Sequence, residues 1–529
     1  MIKLLTAAEM RELDRQTMED YGLAGVVLME HAGRAVAEAA RELAGEAGAH
    51  ITLVCGKGNN GGDGFVAARW LLRWGFVPEV FLVGEPEAVQ GDARTNLNLL
   101  LRAGCGVESL REESDLVLLT GSLRRAEVVI DALLGTGLTG PPGGVAGGAI
   151  RAIMAGGRRV LAVDLPSGLH ADTGEVFDPH IEACCTVTFG AYKRGLALQP
   201  GAACAGAVTV VDIGLPTALL AALDKAPMLA EAADIAQRLP RRAADFHKGE
   251  AGRVLVVSGS RALGGAALLA ARGAARGGAG LVTLACPGNL ADSARLATPE
   301  TMCRAMPEDD DGALAATAVE LLTPLVTAAD AIGIGPGLGT GDGARACLAA
   351  VLAAAGGPLV LDADALNLLA DSPDLRDGVD VPLLLTPHPG EAARLLKTEV
   401  RRVQADRLGA AATLARRYGA TVLLKGAPTV IASGGRLTLN PTGCAAMASG
   451  GMGDVLTGLL AALAAQGLAP ADAALVGAWL HGRAGELAAD GAEAGLLATD
   501  LADRLPTARR EAAFARREAA FAGRDSAAL

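Results

Sequence analysis

The chain has 529 residues, 51% hydrophobic, 20% charged and 3% aromatic, with a net charge of −12. With a mean hydropathy of +0.34, this composition excludes a disordered chain, and at about 150 residues per domain it leaves room for more than one core. The acidic balance argues against a nucleic-acid backbone binder and the scarcity of aromatics against a base-stacking platform; no apolar run reaches the ~18 residues that span a bilayer. Nine Cys without a CxxC pair fit a reducing compartment and no zinc site, so a soluble cytoplasmic protein is expected.

Two helices are predicted first, at 7–20 and 24–44; the early charges of MIKLLTAAEMRELDR suit a helix and not a signal peptide. Strands at 51–55, 79–83, 128–133, 159–164 and 186–189 then alternate with helices near 62–74, 92–103 and 146–155. Such alternation means parallel pairing through right-handed crossovers, an α/β doubly wound sheet of Rossmann-like type closing near 208–216. From 217 to about 248 the pattern weakens. It restarts at 252–259 and runs through 331–334, 359–362, 383–386 and 421–424 to helices at about 452–466 and 470–488. Two α/β domains follow, neither a repeat of the other. The tail 510–523 repeats seven residues, with Glu511/Glu518 and Phe514/Phe521 in register, and reads as a short helix docking two Phe on the body or on another subunit.

The predicted strand at 51–55 leads into GKGNNGGDG and then an apolar helix. Glycines there let a backbone approach a pyrophosphate that the helix N-terminus stabilises. The acidic residue that would read a ribose at the end of the second strand is missing, so hydride-transfer Rossmann chemistry fits poorly. Asn59, Asn60 and Asp63 can instead bind a ribose or a cation. DALLGTGLTG from Asp131 and DLPSG from Asp164 fall at later strand ends, and in an open α/β sheet ligands bind outside the carboxyl ends of the strands. Jointly the three segments form one site.

In the second half, SGGMGDVL places Asp454 behind glycines at a helix N-terminus, an anion hole beside a carboxylate able to take a proton from an attacking hydroxyl. A simple helix cap reads equally well from that motif alone. Neither a Walker A sequence nor G-x-S-x-G is present, which excludes a P-loop NTPase and a nucleophile-elbow hydrolase. The chain holds only seven Lys, of which Lys57, Lys193, Lys248 and Lys425 neighbour glycine-rich loops, where a compact point charge suits phosphate. Asp362 and Asp364 could hold magnesium or cap a helix at 364–370; both readings stand. His388, between two prolines, reads by itself as a packed loop residue.

LLTAAEMRELDR, LMEHAG, GKGNNGGDG, DALLGTGLTG and VDLPSG, in this order, resemble the NAD(P)H-hydrate epimerase domain over residues 1–216. The resemblance implies that Asn59, Asn60, Gly61, Gly62 and Asp63 bind the hydrated nicotinamide nucleotide together with Gly135, Thr136, Gly137, Leu138, Thr139, Gly140, Pro141 and Asp164. It further implies that Asn60, Asp131 and Ser167 ligate K⁺; Asp164 is taken as the acid/base group.

After a linker at 217–227, residues 228–505 resemble the ADP-dependent (S)-NAD(P)H-hydrate dehydratase, of ribokinase-like fold, through HKGEAGRVLVVSGS, GIGPGLG, LDADALN, TPHPGE, LLKGAPTVI, NPTG and SGGMGDVLTG; 506–529 form a helical tail. This implies that Ala266, Gly337, His388 and Asp454 contact the hydrated nucleotide. Lys425, Gly426, Ala427, Pro428, Thr429 and Gly453 would contact ADP, with Mg²⁺ present and Asp454 catalytic. Cys444, Ala445 and Ala446 stand where the family carries Asn-Pro-Gly, and Met452 where it more often carries Thr.

The expectation is a bifunctional enzyme that interconverts R and S NAD(P)HX and converts the S form to NAD(P)H with release of AMP and phosphate. A homo-oligomer is expected, with no nucleic-acid or membrane partner. Two alternatives use the same residues: a small-molecule kinase, which leaves the first domain unexplained, and a first domain that only senses nucleotide.

Overall fold

The computed structural model describes the backbone of residues 1–525 and side chains through Phe514. The chain divides into two compact units, Ile2–Pro227 and the residues from Met228 onward. Among the described residues no helix is long and apolar enough to cross a membrane.

The first unit opens with strand Ile2–Leu5 and helices Ala7–Glu19 and Gly25–Ala44. Thr6 caps the former helix in a reciprocal box with Glu9, which satisfies two of its free N–H groups. Its main sheet has seven strands, in the order Val107–Leu110, Val77–Val83, His50–Cys55, Val128–Ala132, Arg159–Val163, Cys185–Phe189 and Ala207–Val211, all parallel. The winding direction reverses between His50–Cys55 and Val128–Ala132. The loops leaving those two strands therefore diverge and open a crevice, which is where the glycine-rich segments after Cys55 and Ala132 lie. Strand Tyr192–Lys193 pairs with Ile2–Leu5, Lys193 opposite Leu5.

In the second unit the parallel strands run Met302–Met306, Leu281–Pro287, Arg253–Val257, Ala331–Ile334, Leu359–Leu361, Leu383–Leu385 and Thr421–Leu424. Antiparallel strands Thr429–Ser433 and Arg436–Asn440 extend the sheet, and Met228–Leu229 pairs with the latter. Here the reversal lies between Arg253–Val257 and Ala331–Ile334.

Helix Met452–Ala465 packs on helix Gly264–Arg276 almost main chain to main chain. A Cβ on Gly458 would stand 1.9 Å from the Ala270 oxygen, and one on Gly273 would stand 2.2 Å from the Val455 oxygen. Only glycine permits that approach.

The predicted strands and helices recur with shifts of a few residues at most. The strands Ile2–Leu5, Val107–Leu110, Tyr192–Lys193, Met228–Leu229, Leu281–Pro287, Met302–Met306, Thr429–Ser433 and Arg436–Asn440 are additional. Helix Thr217–Ala222 lies in the segment read as a linker. In the tail, helix Ala498–Asp525 carries Phe514 exposed and Glu511 paired with Arg483, while the side chains of Glu518 and Phe521 lie outside the described residues.

Candidate functional sites

A cavity of about 1020 Å³ fills the crevice of the first unit. It is lined by Asn59, Asn60 and Asp63 from the first loop and helix turn, by Gly135, Thr136, Gly137, Leu138, Thr139, Gly140 and Pro141 from the second loop, and by Asp164. Gly61 and Gly62 are buried in the helix turn behind it and do not line it.

Asp164 follows strand Arg159–Val163 with φ +64°, a conformation that Asp and Asn adopt more readily than other side chains. Its Oδ1 accepts from Thr188 Oγ1 at 2.9 Å and lies 2.6 Å from Lys193 Nζ, which is 2% exposed and also donates to the Phe189 carbonyl at 2.7 Å. Lys193 is thus committed to a carboxylate, where the sequence suggested a phosphate contact. Asp14, on helix Ala7–Glu19, also lines the cavity; burial raises its carboxyl, with Lys193 opposing. Burial pushes Asp63 well above the carboxylate range, and the Asp164 charge adds to this. Asp14, Asp63, Asp164 and Lys193, from four chain segments, thus share one cavity that Arg11, Lys57 and Asp92 also line. Asp14 gave no sequence signal, since one polar residue on an amphipathic helix looks like a solvated one.

Asp131, on strand Val128–Ala132, is fully buried and pushed up to about 6 by desolvation, against hydrogen bonds from Ser167. Ser167 donates to it from its hydroxyl at 2.7 Å and from its N–H at 2.7 Å, and the Ser167 hydroxyl accepts from Leu134 N–H at 2.9 Å. A Cβ on neighbouring Gly135 would lie 3.3 Å from Asn60 Cγ, and the Asn60 Nδ2 is buried without a partner. A carboxylate, a hydroxyl and an amide are the side-chain types whose oxygens suit K⁺, although the Asn60 atom left without a partner is its N–H₂ group.

In the second unit, Asp454 lies in the first turn of helix Met452–Ala465, entered through Gly451 at φ +89°. Burial first, then the charge of Asp362, raises its carboxyl to about 6, with Lys425 opposing. Lys425 Nζ donates to Asp362 Oδ1 at 2.7 Å and lies 3.9 Å from Glu391; a Cβ on Gly453 would be 3.3 Å from it. Burial alone would depress the Lys425 ammonium, but Asp362 and Glu391 outweigh it and the net shift is upward. Thr457 donates to the other Asp362 oxygen at 2.6 Å.

These contacts decide the open question about Asp362 and Asp364. Asp364 accepts from the Gly339 N–H at 2.8 Å and from Asn367, fastening the GIGPGLG loop to its own helix start. Asp362 is spent on Lys425 and Thr457. The two carboxylates do not fit a magnesium cage, and among the described residues no cluster of three His, Cys, Asp or Glu could hold a metal.

His388 is the N-cap of helix Pro389–Leu396 and half exposed; its Nδ1 accepts from Gly390 N–H at 3.0 Å, and Glu391 accepts from its backbone N–H at 2.8 Å. Glu391, the last residue of TPHPGE, is 6% exposed at its side chain and raised to about 7 by burial, with Lys425 opposing; the sequence reading did not single it out. Gly337 adjoins Ala266, to which a Cβ on it would come within 3.2 Å. Lys425, Gly426, Ala427, Pro428 and Thr429 form the turn between Thr421–Leu424 and Thr429–Ser433, where the Thr429 hydroxyl donates to the Gly426 carbonyl at 3.0 Å.

Two doubly wound α/β units, each with a buried lysine–aspartate pair at its strand ends, define a two-domain α/β enzyme. Family models match residues 254–507, described as NAD(P)H-hydrate dehydratase, and 25–195, described as YjeF-related protein N-terminus. The chain is 46% identical over 507 residues to the bifunctional NAD(P)H-hydrate repair enzyme Nnr of Moorella thermoacetica, covering 95% of this chain and 96% of that one. It is 41% identical to the Coxiella burnetii enzyme of the same name (95% and 98% covered) and 35% identical to that of Escherichia coli (94% and 92% covered). A solved ADP/ATP-dependent NAD(P)H-hydrate dehydratase from Bacillus subtilis, co-crystallised with ATP/Mg²⁺, is similar over 54% of this chain and 99% of its own, at 33% identity and TM-score 0.48. The chain belongs to the family of bifunctional NAD(P)H-hydrate repair enzymes.

Proposed function

We propose that the first unit interconverts R and S NAD(P)HX and that the second converts (S)-NAD(P)HX to NAD(P)H at the expense of ADP, in the cytoplasm and as a homo-oligomer. The observation that carries this reading is the raised carboxyl of Asp454 in a glycine-flanked helix N-terminus beside Lys425. Asp454 takes the proton of the C6 hydroxyl. That oxygen attacks the β-phosphorus of ADP and AMP leaves, its charge met by the free N–H groups of the helix start and by Lys425. The phosphorylated oxygen then departs as phosphate while C5 loses a proton, and the double bond returns. Phosphorylation matters because hydroxide is a poor leaving group.

In the first unit Asp164 exchanges protons with the substrate, held in place by Thr188 and Lys193. Asn60, Asp131 and Ser167 would hold K⁺, which when bound supplies positive charge for the substrate diphosphate. Mg²⁺ would accompany ADP on its phosphates, because this ion usually keeps its water and phosphate ligands.

The test is full-length protein with both NADHX epimers, ADP and Mg²⁺, followed at the reduced-nicotinamide absorbance. Complete recovery of NADH is expected, with Asp454→Asn abolishing it and Asp164→Asn slowing only the R fraction. No recovery with ADP or ATP overturns the reading. A stable phosphorylated alcohol would instead indicate a kinase.

A further inference from the structure

Arg407 is the first residue of helix Arg407–Tyr418. Its Nη2 donates to the Pro428 carbonyl at 2.9 Å, the Lys425 carbonyl at 3.0 Å and the Leu424 carbonyl at 3.3 Å, while its Nη1 donates to Gln404 at 2.6 Å. One guanidinium nitrogen thereby gathers both ends of the turn that carries Lys425. The Lys425 main chain is also held from the other side, its N–H donating to the Pro387 carbonyl at 2.9 Å. Gly426, at φ +139°, leaves the space the guanidinium occupies; a Cβ there would stand 2.6 Å from Nη2.

The hydrogen bonds explain a donor at this position and leave its full charge unaccounted for. A cation in the first turn of a helix opposes the helix dipole. Burial lowers the guanidinium from its ordinary value, and its Nε is buried without a partner. Carbonyls and an amide satisfy the other nitrogens, so no carboxylate among the described residues neutralises the charge. The hydrogen bonds to the turn call for a donor, which a neutral amide could also supply, whereas a polyanion arriving at the turn would benefit from the full charge.

We propose that Arg407 is a positioning residue for the phosphoryl donor, fixing the Lys425–Pro428 turn in the shape that receives a nucleoside diphosphate and adding an uncompensated positive charge behind it. The inference rests on the ADP-dependent reading above. Arg407 touches the turn and not the reacting atoms, so its effect falls on donor binding more than on turnover.

The experiment measures calorimetric binding of Mg·ADP to the full chain, with donor KM and kcat in parallel, for Arg407→Met, Arg407→Lys and Gly426→Ala. Loss of several carbonyl contacts and one charge corresponds to roughly tenfold or more in donor affinity. The Met variant should show that loss with kcat reduced less than about threefold, and the Lys variant should recover part of it. Gly426→Ala, which displaces the guanidinium without removing it, should reproduce the loss, and the double variant with Met should add nothing further. Thermal melting identifies any variant that does not fold, and the remaining two then decide. Wild-type binding of ADP together with unaltered affinity in folded variants overturns the inference alone. A wild-type chain that binds no ADP overturns it together with the reading beneath it. A fall confined to kcat or to melting temperature also counts against it.

Discussion

Lys193 Nζ lies 2.6 Å from Asp164 Oδ1, and the lysine is 2% exposed while the aspartate is 14% exposed at the mouth of the cavity. The pair is asymmetric: the cation is the more deeply buried and is held also by the Phe189 carbonyl, while the carboxylate is the more exposed of the two in the cavity. Removing the cation strands a partly buried carboxylate, so Lys193→Met should cost the first unit about 3 kcal/mol. R-epimer conversion should fall roughly 100-fold or more, while dehydration of the S form persists. Chemical denaturation and epimer-resolved kinetics check both. Retained R conversion would remove Lys193 from the site.

The positive φ of Asp164 separates its chemistry from its conformation. Asparagine tolerates that backbone, whereas alanine there costs about 1 kcal/mol. Asp164→Asn and Asp164→Ala both leave the buried Lys193 ammonium without its carboxylate, so both should slow R conversion and lower stability, the alanine variant by about 1 kcal/mol more. Equal melting temperatures for the two variants would contradict the strain argument.

Asp454, raised to about 6, must be ionised to accept a proton. Dehydration rate at saturating substrate should therefore decline about tenfold per pH unit below 6. Stability runs the other way: the folded carboxyl lies above its unfolded value, so its contribution is present at low pH and fades as pH rises through about 6. Asp454→Asn should gain about 1–3 kcal/mol on the parent at pH 7.5 relative to pH 4. A rate profile flat down to pH 4.5 would assign the base elsewhere.

Asp131 supplies a test for K⁺. Above about pH 6 its buried carboxylate is ionised with no cation beside it, and a bound ion should offset that cost. Potassium chloride should raise the melting temperature of the parent at pH 7.5 more than tetramethylammonium chloride does, and lose this advantage at pH 5. Asp131→Asn should respond equally to both salts at either pH. A potassium effect of equal size in parent and variant would place the ion elsewhere.

Gly458→Ala drives a methyl group into the Ala270 carbonyl at 1.9 Å. The helices must part, at about 3 kcal/mol. Dehydration should lose kcat more than donor affinity, because Asp454 rides on the displaced helix; R-to-S epimerisation should continue. Parent-like dehydration in this variant would show that the helix contact does not set the site.

Much of this is legible in the amino-acid sequence. Apolar runs ending in glycine mark the strands His50–Cys55, Val128–Ala132 and Ala331–Ile334, because buried parallel strands need continuous apolar sequence and their ligand-facing ends need close backbone approach. Met302–Met306, an edge strand with exposed residues, lacks that signature, as does Val107–Leu110 with its polar centre. The three segments around Asp131 and Asp164 were assignable to one site because topology alone brings strand ends together. Side-chain pairing was not: nothing local announces that Lys193 answers Asp164, that Lys425 consumes the carboxylate of Asp362, or that Arg407 reaches the turn after Thr421–Leu424. Those depend on rotamers and on segments folded together from far apart.

Where helix Met452–Ala465 meets helix Gly264–Arg276, peptide groups touch with no side chain between them. Ordinary helix interfaces have some compliance, since a leucine can change rotamer and let its neighbour slide. Two main chains in direct contact have none. The aspartate at the head of the first helix is therefore a fixed datum in its unit, and any tightening around a bound nucleotide has to come from elements other than this helix pair.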